Sequence, residues 1–122
     1  MPVSSASDFA PAFQKAFDNG DLEGLLSLYA DDVVAVPQPG ARLNGKAEVS
    51  AGLQAFLAMT PYTMAMTSSL VESPSAAIVY LDWAFDGTSP DGPVHIEARA
   101  SVALAHGAGG WVAVVDDFFS QA

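Results

Sequence analysis

No cysteine occurs in the 122 residues. Disulfides, thiolate metal sites and cysteine nucleophiles are therefore excluded. Cations are nearly as scarce. Lys15, Lys46, Arg42 and Arg99 face 14 acids, and the formal net charge is -10. A nucleic-acid backbone would be repelled rather than neutralised, and so would an anionic membrane surface. No apolar run approaches the roughly 20 residues that span a bilayer. The opening Met1-Pro2-Val3-Ser4-Ser5 has neither the basic nor the apolar region of a secretion signal, so the cytoplasm is the expected location. No phosphate loop, dinucleotide motif or serine nucleophile is present. Gly107-Ala108-Gly109-Gly110 reads as a hairpin turn, because no helix follows it to receive a pyrophosphate. His-x-x-x-His spacing is missing too. His95 and His106 have opposite parity on one strand and cannot share a metal without a bulge. Neither a metal nor a cofactor is expected.

What remains is an apolar chain of single-domain length, expected to fold as one domain over residues 1–122. Apolar residues make up 51% and charged residues 15%, which points to a globular core rather than disorder. Phe9, Phe13 and Phe17 recur every four residues, with Ala12 and Ala16 beside them, and predict a helix from about Asp8 to Asp18. Asp8 is its expected N-cap, with Pro11 at the third helical position. Gly20 is its expected stop. Leu22, Leu25, Leu26 and Tyr29 predict a second helix from Asp21 to about Ala30. Val33 to Val36 is a short β-branched run stopped by Pro37, Pro39 and Gly40. A third helix is expected from Asn44 or Gly45 to about Met59, with Val49, Leu53, Phe56 and Leu57 on one face. After Pro61 four strand-like runs follow: Tyr62 to Val71, Ala76 to Phe85, Val94 to Ala105 and Trp111 to Phe119. Turn-rich links join them into an antiparallel meander. Helices first and strands after give an α+β fold, with the helices laid on one face of a curved sheet.

Several phrases in this order resemble the nuclear-transport-factor-2-like (NTF2-like) superfamily. They are closest to its SnoaL-like and ketosteroid-isomerase-like members. Asn19-Gly20-Asp21-Leu22 followed by Leu28-Tyr29-Ala30-Asp31-Asp32 looks like the opening pattern of that group. Pro37-Gln38-Pro39-Gly40 and Asn44-Gly45-Lys46 look like its turn and third-helix start. Asp82-Trp83, Arg99-Ala100-Ser101 and Gly110-Trp111…Val115-Asp116-Asp117-Phe118-Phe119 look like its later strands. The resemblance implies a cone of three N-terminal helices packed on a strongly curved antiparallel or mixed sheet. It also implies an apolar pocket for a small molecule, and pairing through the sheet as a homodimer. It says little about activity, since the fold hosts isomerases, cyclases, dehydratases and non-catalytic binders. Matched to ketosteroid isomerases, Phe13 stands at the helix-1 tyrosine, Pro37 at the base, and Ala100 or Ser101 near the late acid. None carries the needed group, so that mechanism is not expected.

Chemistry must then come from elsewhere. Asp31 and Asp32, adjacent in sequence, read as caps or solvent-facing acids. Strand alternation sets Val79, Leu81, Trp83 and Phe85 on an inner face, and Ile78, Tyr80, Asp82 and Ala84 on an outer one. Trp83 either packs in the core or stacks on an apolar ligand. His95, Glu97, Arg99 and Ser101 share one face of the next strand, the outer one by the simplest reading. Arg99 calls for either a carboxylate partner or an anionic ligand. At most one of Asp116 and Asp117 enters the interior, and Asp116 does so if Val112 and Val114 face inward. Among aromatics its pKa would rise, leaving either a hydrogen-bonded structural carboxyl or an acid/base. The expected site is therefore Asp116 with Arg99 as catalytic groups, walled by Phe13, Phe17, Tyr29, Phe56 and Trp83. The expected function is a lyase, isomerase or cyclase acting on an apolar oxygenated molecule; the alternative is a ligand-binding or protein-interaction module without catalysis.

Overall fold

The computed structural model describes residues 2–107 and 109–121. Met1, Ala108 and Ala122 lie outside them, Ala108 within the expected hairpin turn. A 3₁₀ turn, Ala6–Asp8, leads into α1, Phe9–Asp18. Phe9, Phe13 and Phe17 are buried on one face and stack with centroids 6.2 and 6.0 Å apart. Each ring so buried contributes about 2 kcal/mol of transfer free energy. Asp8 sits at the N-cap position without a side-chain capping bond. Gly20 takes φ +64°, the left-handed stop that a glycine adopts without strain.

The second helix is shorter than its periodicity predicts. α2 covers Leu22–Leu26 only, capped by the Asp21 carboxylate accepting from the Gly24 amide at 2.9 Å. The chain then becomes extended, and β1 runs Tyr29–Val36 rather than starting at Val33. Pairing decides this. The Ala113 amide donates to the Leu28 carbonyl, and Tyr29 aligns beside Ala113 in a parallel ladder. Tyr29 is buried in either conformation, so its spacing from Leu22 could not distinguish helix from strand. Asp31 and Asp32 consequently lie exposed in β1 and not at a helix end. A two-residue strand β2, Leu43–Asn44, pairs with β1. α3, Lys46–Leu57, follows Gly45, whose φ of +86° again suits glycine. In α3, Gly52 permits close approach to β2, since a Cβ there would come within 2.9 Å of Leu43 Cδ1.

Four long strands complete the chain: β3 Thr63–Glu72, β4 Ala76–Ser89, β5 Gly92–Gly107 and β6 Gly110–Gln121. Sheet order is β2-β1-β6-β5-β4-β3. All neighbours are antiparallel except β1 with β6, so the sheet is mixed. The expected faces of β4 hold. Val79, Leu81, Trp83 and Phe85 are buried, while Ile78, Tyr80 and Asp82 are exposed. The three helices and this inner face close an α+β cone around one core. No helix among the described residues is long and apolar enough to cross a membrane.

Candidate functional site

A cavity of about 50 Å³ lies inside the cone. Phe13 and Phe17 of α1 and Leu53 and Phe56 of α3 form one side. Met64 and Met66 of β3, Leu81, Trp83 and Phe85 of β4, Ala100 of β5 and Phe118 of β6 form the other. Phe56 is the hub, meeting Trp83, Phe85 and Phe118 edge to face at 5.3–6.3 Å. Trp83 is fixed by its indole N–H, which donates to the Phe118 carbonyl at 3.0 Å. Among the described residues that line it, Asp116 is the only polar one.

A bulge aims Asp116 inward. Trp111 and Ala113 are the buried residues early in β6, whereas Val112 and Val114 are only half-buried. Ala103 pairs with Val115 but Leu104 with Ala113, so one extra residue interrupts the ladder and parity reverses. Asp116 therefore faces the interior although the Val112–Val114 face does not lead to it. It is 3% exposed.

Tyr29 donates its hydroxyl to Asp116 Oδ2 at 2.6 Å. The tyrosine is fully buried on β1 behind the acid, in place of the expected position on the cavity wall. Asp116 Oδ1 has no hydrogen-bond partner among the described residues. No buried side-chain oxygen or nitrogen among them is left without a partner, so Oδ1 keeps some exposed surface, and Asp116 is a lining residue of the cavity. Burial raises the Asp116 pKa to about 7; the Tyr29 hydrogen bond opposes that rise, and the Asp117 charge adds to it. Burial also raises the Tyr29 pKa well above the ordinary phenol value, with the Asp116 charge second. At neutral pH the pair thus holds a neutral tyrosine donor and a carboxyl that exchanges a proton easily.

Arg99 is not brought to this acid. It lies on the outer face of β5, where its Nε donates to Asp82 Oδ1 at 2.7 Å and its second nitrogen to Oδ2 at 3.3 Å. Asp82 and Arg99 are directly paired across β4 and β5, which satisfies the arginine on the solvent side. An open depression of about 600 Å³ on that face includes both groups and Glu97. Asp116, Phe13, Phe17, Phe56 and Trp83 do meet at one cavity, while Tyr29 meets it only through Asp116. Leu81 and Phe85, which strand parity sets on the inner face with Trp83, line the cavity beside it. Sequence reasoning missed Leu53, Met64, Met66, Ala100 and Phe118 as lining residues. No group of three or more metal-ligating side chains occurs among the described residues.

Residues 10–119 match the SnoaL-like domain family. The chain belongs to that family. Solved structures similar to this SnoaL-like domain share its fold at low identity. A candidate dehydratase of the NTF2-like family from Streptomyces avermitilis is 21% identical, with TM-score 0.74, over 91% of this chain and 90% of that one. A candidate scytalone dehydratase from Novosphingobium aromaticivorans is 11% identical with TM-score 0.79, over 91% and 78%. A candidate calcium/calmodulin-dependent protein kinase type II association domain from Thiobacillus denitrificans is 20% identical with TM-score 0.78, over 96% and 95%. At these identities the likeness establishes the NTF2-like fold and not an activity. No curated protein matches the sequence of this SnoaL-like domain.

Proposed function

We propose that this SnoaL-like domain binds a small apolar molecule in the Asp116 cavity and moves a proton on it. Asp116 serves as acid/base in a lyase, isomerase or cyclase reaction. One observation carries the reading: the single polar group of an otherwise apolar cavity is a buried carboxyl whose pKa lies near 7 and whose Oδ1 is free to meet a ligand. Such a carboxyl can take a proton from carbon or return one without a large penalty in either direction. Tyr29 holds the other oxygen and fixes the carboxyl plane. Arg99 takes no part, being on the opposite face.

A second reading, a binding module without catalysis, is favoured by the same sparse lining. No further donor lines the cavity to stabilise developing charge. Screening small uncharged ring compounds that carry one oxygen for thermal stabilisation and for turnover separates the two. The catalytic reading requires turnover that disappears in Asp116→Asn and persists in Arg99→Ala. Stabilisation with no turnover leaves only the binder.

Pairing of two copies through the outer sheet face belongs to the same proposal. Val71, Ile78, Ala103 and Val115 stand in one cross-strand row from β3 to β6, and Val34 of β1 continues it. Val71, Ile78 and Val115 are 64%, 41% and 42% exposed. An apolar row of this length on a sheet face favours a second copy over water. A monomeric mass at micromolar concentration would rule the pairing out.

A further inference from the structure

Hydrogen-bond accounting restricts what the cavity can hold. It offers a ligand one oxygen, Asp116 Oδ1, because Tyr29 occupies Oδ2. An anion would meet no cation there: Arg99 is paired to Asp82 on the outer face and Lys46 to Asp31 at 3.5 Å. A primary ammonium would bring three N–H donors to one acceptor and leave two unsatisfied among apolar walls, which is costly. An alcohol can accept the O–H of the neutral acid, but its own hydroxyl hydrogen is then left unsatisfied among apolar walls. Donating that hydrogen to Oδ1 needs the carboxylate form, which those walls disfavour. An uncharged acceptor closes the account, because a neutral carboxylic acid supplies the one O–H it needs. Size narrows the choice further. At about 10–15 Å³ of such space per water, a 50 Å³ cavity holds a few waters, the room of about one six-membered ring.

We propose that the cavity takes one small uncharged ring compound presenting a single hydrogen-bond acceptor, a ketone or cyclic ether, docked on the neutral acid form of Asp116. This rests on the functional reading above and names the ligand class of that same site. Binding then takes up a proton. The titratable groups that act on Asp116 are Tyr29 from β1 and Asp117 beside it on β6. The walls from α1, α3, β3, β4 and β5 bring none.

Titrating the protein with cyclohexanone, cyclohexanol and cyclohexylammonium, followed by NMR shifts of the Phe and Trp rings, tests this. With the acid form populated below a pKa of about 7, the cyclohexanone Kd should weaken by about thirtyfold between about pH 5.5 and about pH 8.5. Asp116→Asn should bind cyclohexanone with no pH dependence, because its amide N–H replaces the acid O–H. Asp116→Leu should bind it weakly at every pH. Failure of cyclohexanone to bind, a pH-independent Kd in the unmodified protein, or cyclohexylammonium or cyclohexanol binding more tightly as pH rises would each overturn the assignment. Turnover is not measured here, so a domain without catalysis but with proton-linked ketone binding would defeat the acid/base reading and leave this one standing.

Discussion

Asp116 and Asp82 belong to one sheet and point to opposite faces of it. Asp82 lies outside, 58% exposed at the side chain, and its Arg99 hydrogen bonds hold its pKa below the usual carboxylate range. Asp116 lies inside with no cation, and burial drives its pKa up to about 7 despite the Tyr29 donor. Identical side chains therefore carry opposite proton linkage. Asp82 contributes stability that is present above the ordinary carboxylate pKa and lost as pH falls through its lowered value. Asp116 is tolerated best as a neutral acid and costs stability once ionised. Surface pairing fixes the charge of Asp82, whereas Asp116, with no cation beside it among the lining residues, keeps a carboxyl that can titrate near neutrality.

The largest way to break this contrast is Asp116→Asn. A carboxyl moved from 3.8 to about 7 costs roughly 4 kcal/mol when fully ionised. The folded state holds the proton more tightly than the unfolded chain, so stability falls as pH rises from about 4 to about 7. In Asp116→Asn that fall should vanish. Urea unfolding should find the variant more stable than the parent by up to roughly 4 kcal/mol at alkaline pH and nearly equal to it below about pH 4. A variant that loses stability at every pH would mean that the acid is structural rather than strained for function.

Tyr29→Phe sharpens the contrast with a smaller effect. The hydroxyl donation lowers the Asp116 pKa. A hydrogen bond to a charged group contributes about 1.5–3 kcal/mol, so its loss should raise the Asp116 midpoint by about one pH unit or more. Carbon-detected NMR of the Asp116 carboxyl reads this directly, with no substrate. An unchanged midpoint would show that Tyr29 is packing alone. Any turnover should shift its pH profile upward in parallel.

Much of this arrangement is legible in the residues. Phe9, Phe13 and Phe17 specify α1, and the alternation from Ile78 to Phe85 specifies both faces of β4, because each pattern serves one buried side. Arg99 as a surface ion pair was one of its two open readings. What escaped depends on contacts distant in sequence. Tyr29 sits 87 positions from Asp116, and no local signal separates a buried helix end from the start of a parallel strand. The β6 bulge between Ala113 and Val115 is equally silent, although it decides which way Asp116 points.

The smallest effect belongs to the outer face, at His95. Its Nδ1 lies 2.6 Å from Asp86 and its Nε2 2.7 Å from Glu97, so both nitrogens donate only when the ring is protonated. The Glu97 and then the Asp86 hydrogen bonds raise its pKa. Stability from this cluster is complete below the ordinary histidine pKa and is lost as pH rises through the raised value. Both His95 and Asp116 thus weaken the fold on the alkaline side, but their windows differ: Asp116 acts up to about pH 7, and His95 from its ordinary value near 6.5 upward. Their environments differ as well, because the exposed cluster is screened by salt and the buried carboxyl is not. In Asp116→Asn the residual alkaline loss should therefore be slight, should shrink further in about 1 M salt, and should disappear when His95→Asn is added. A residual slope that ignores salt at pH values below the ordinary tyrosine range, where Tyr29 does not titrate, would place a further buried titrating group inside the cone.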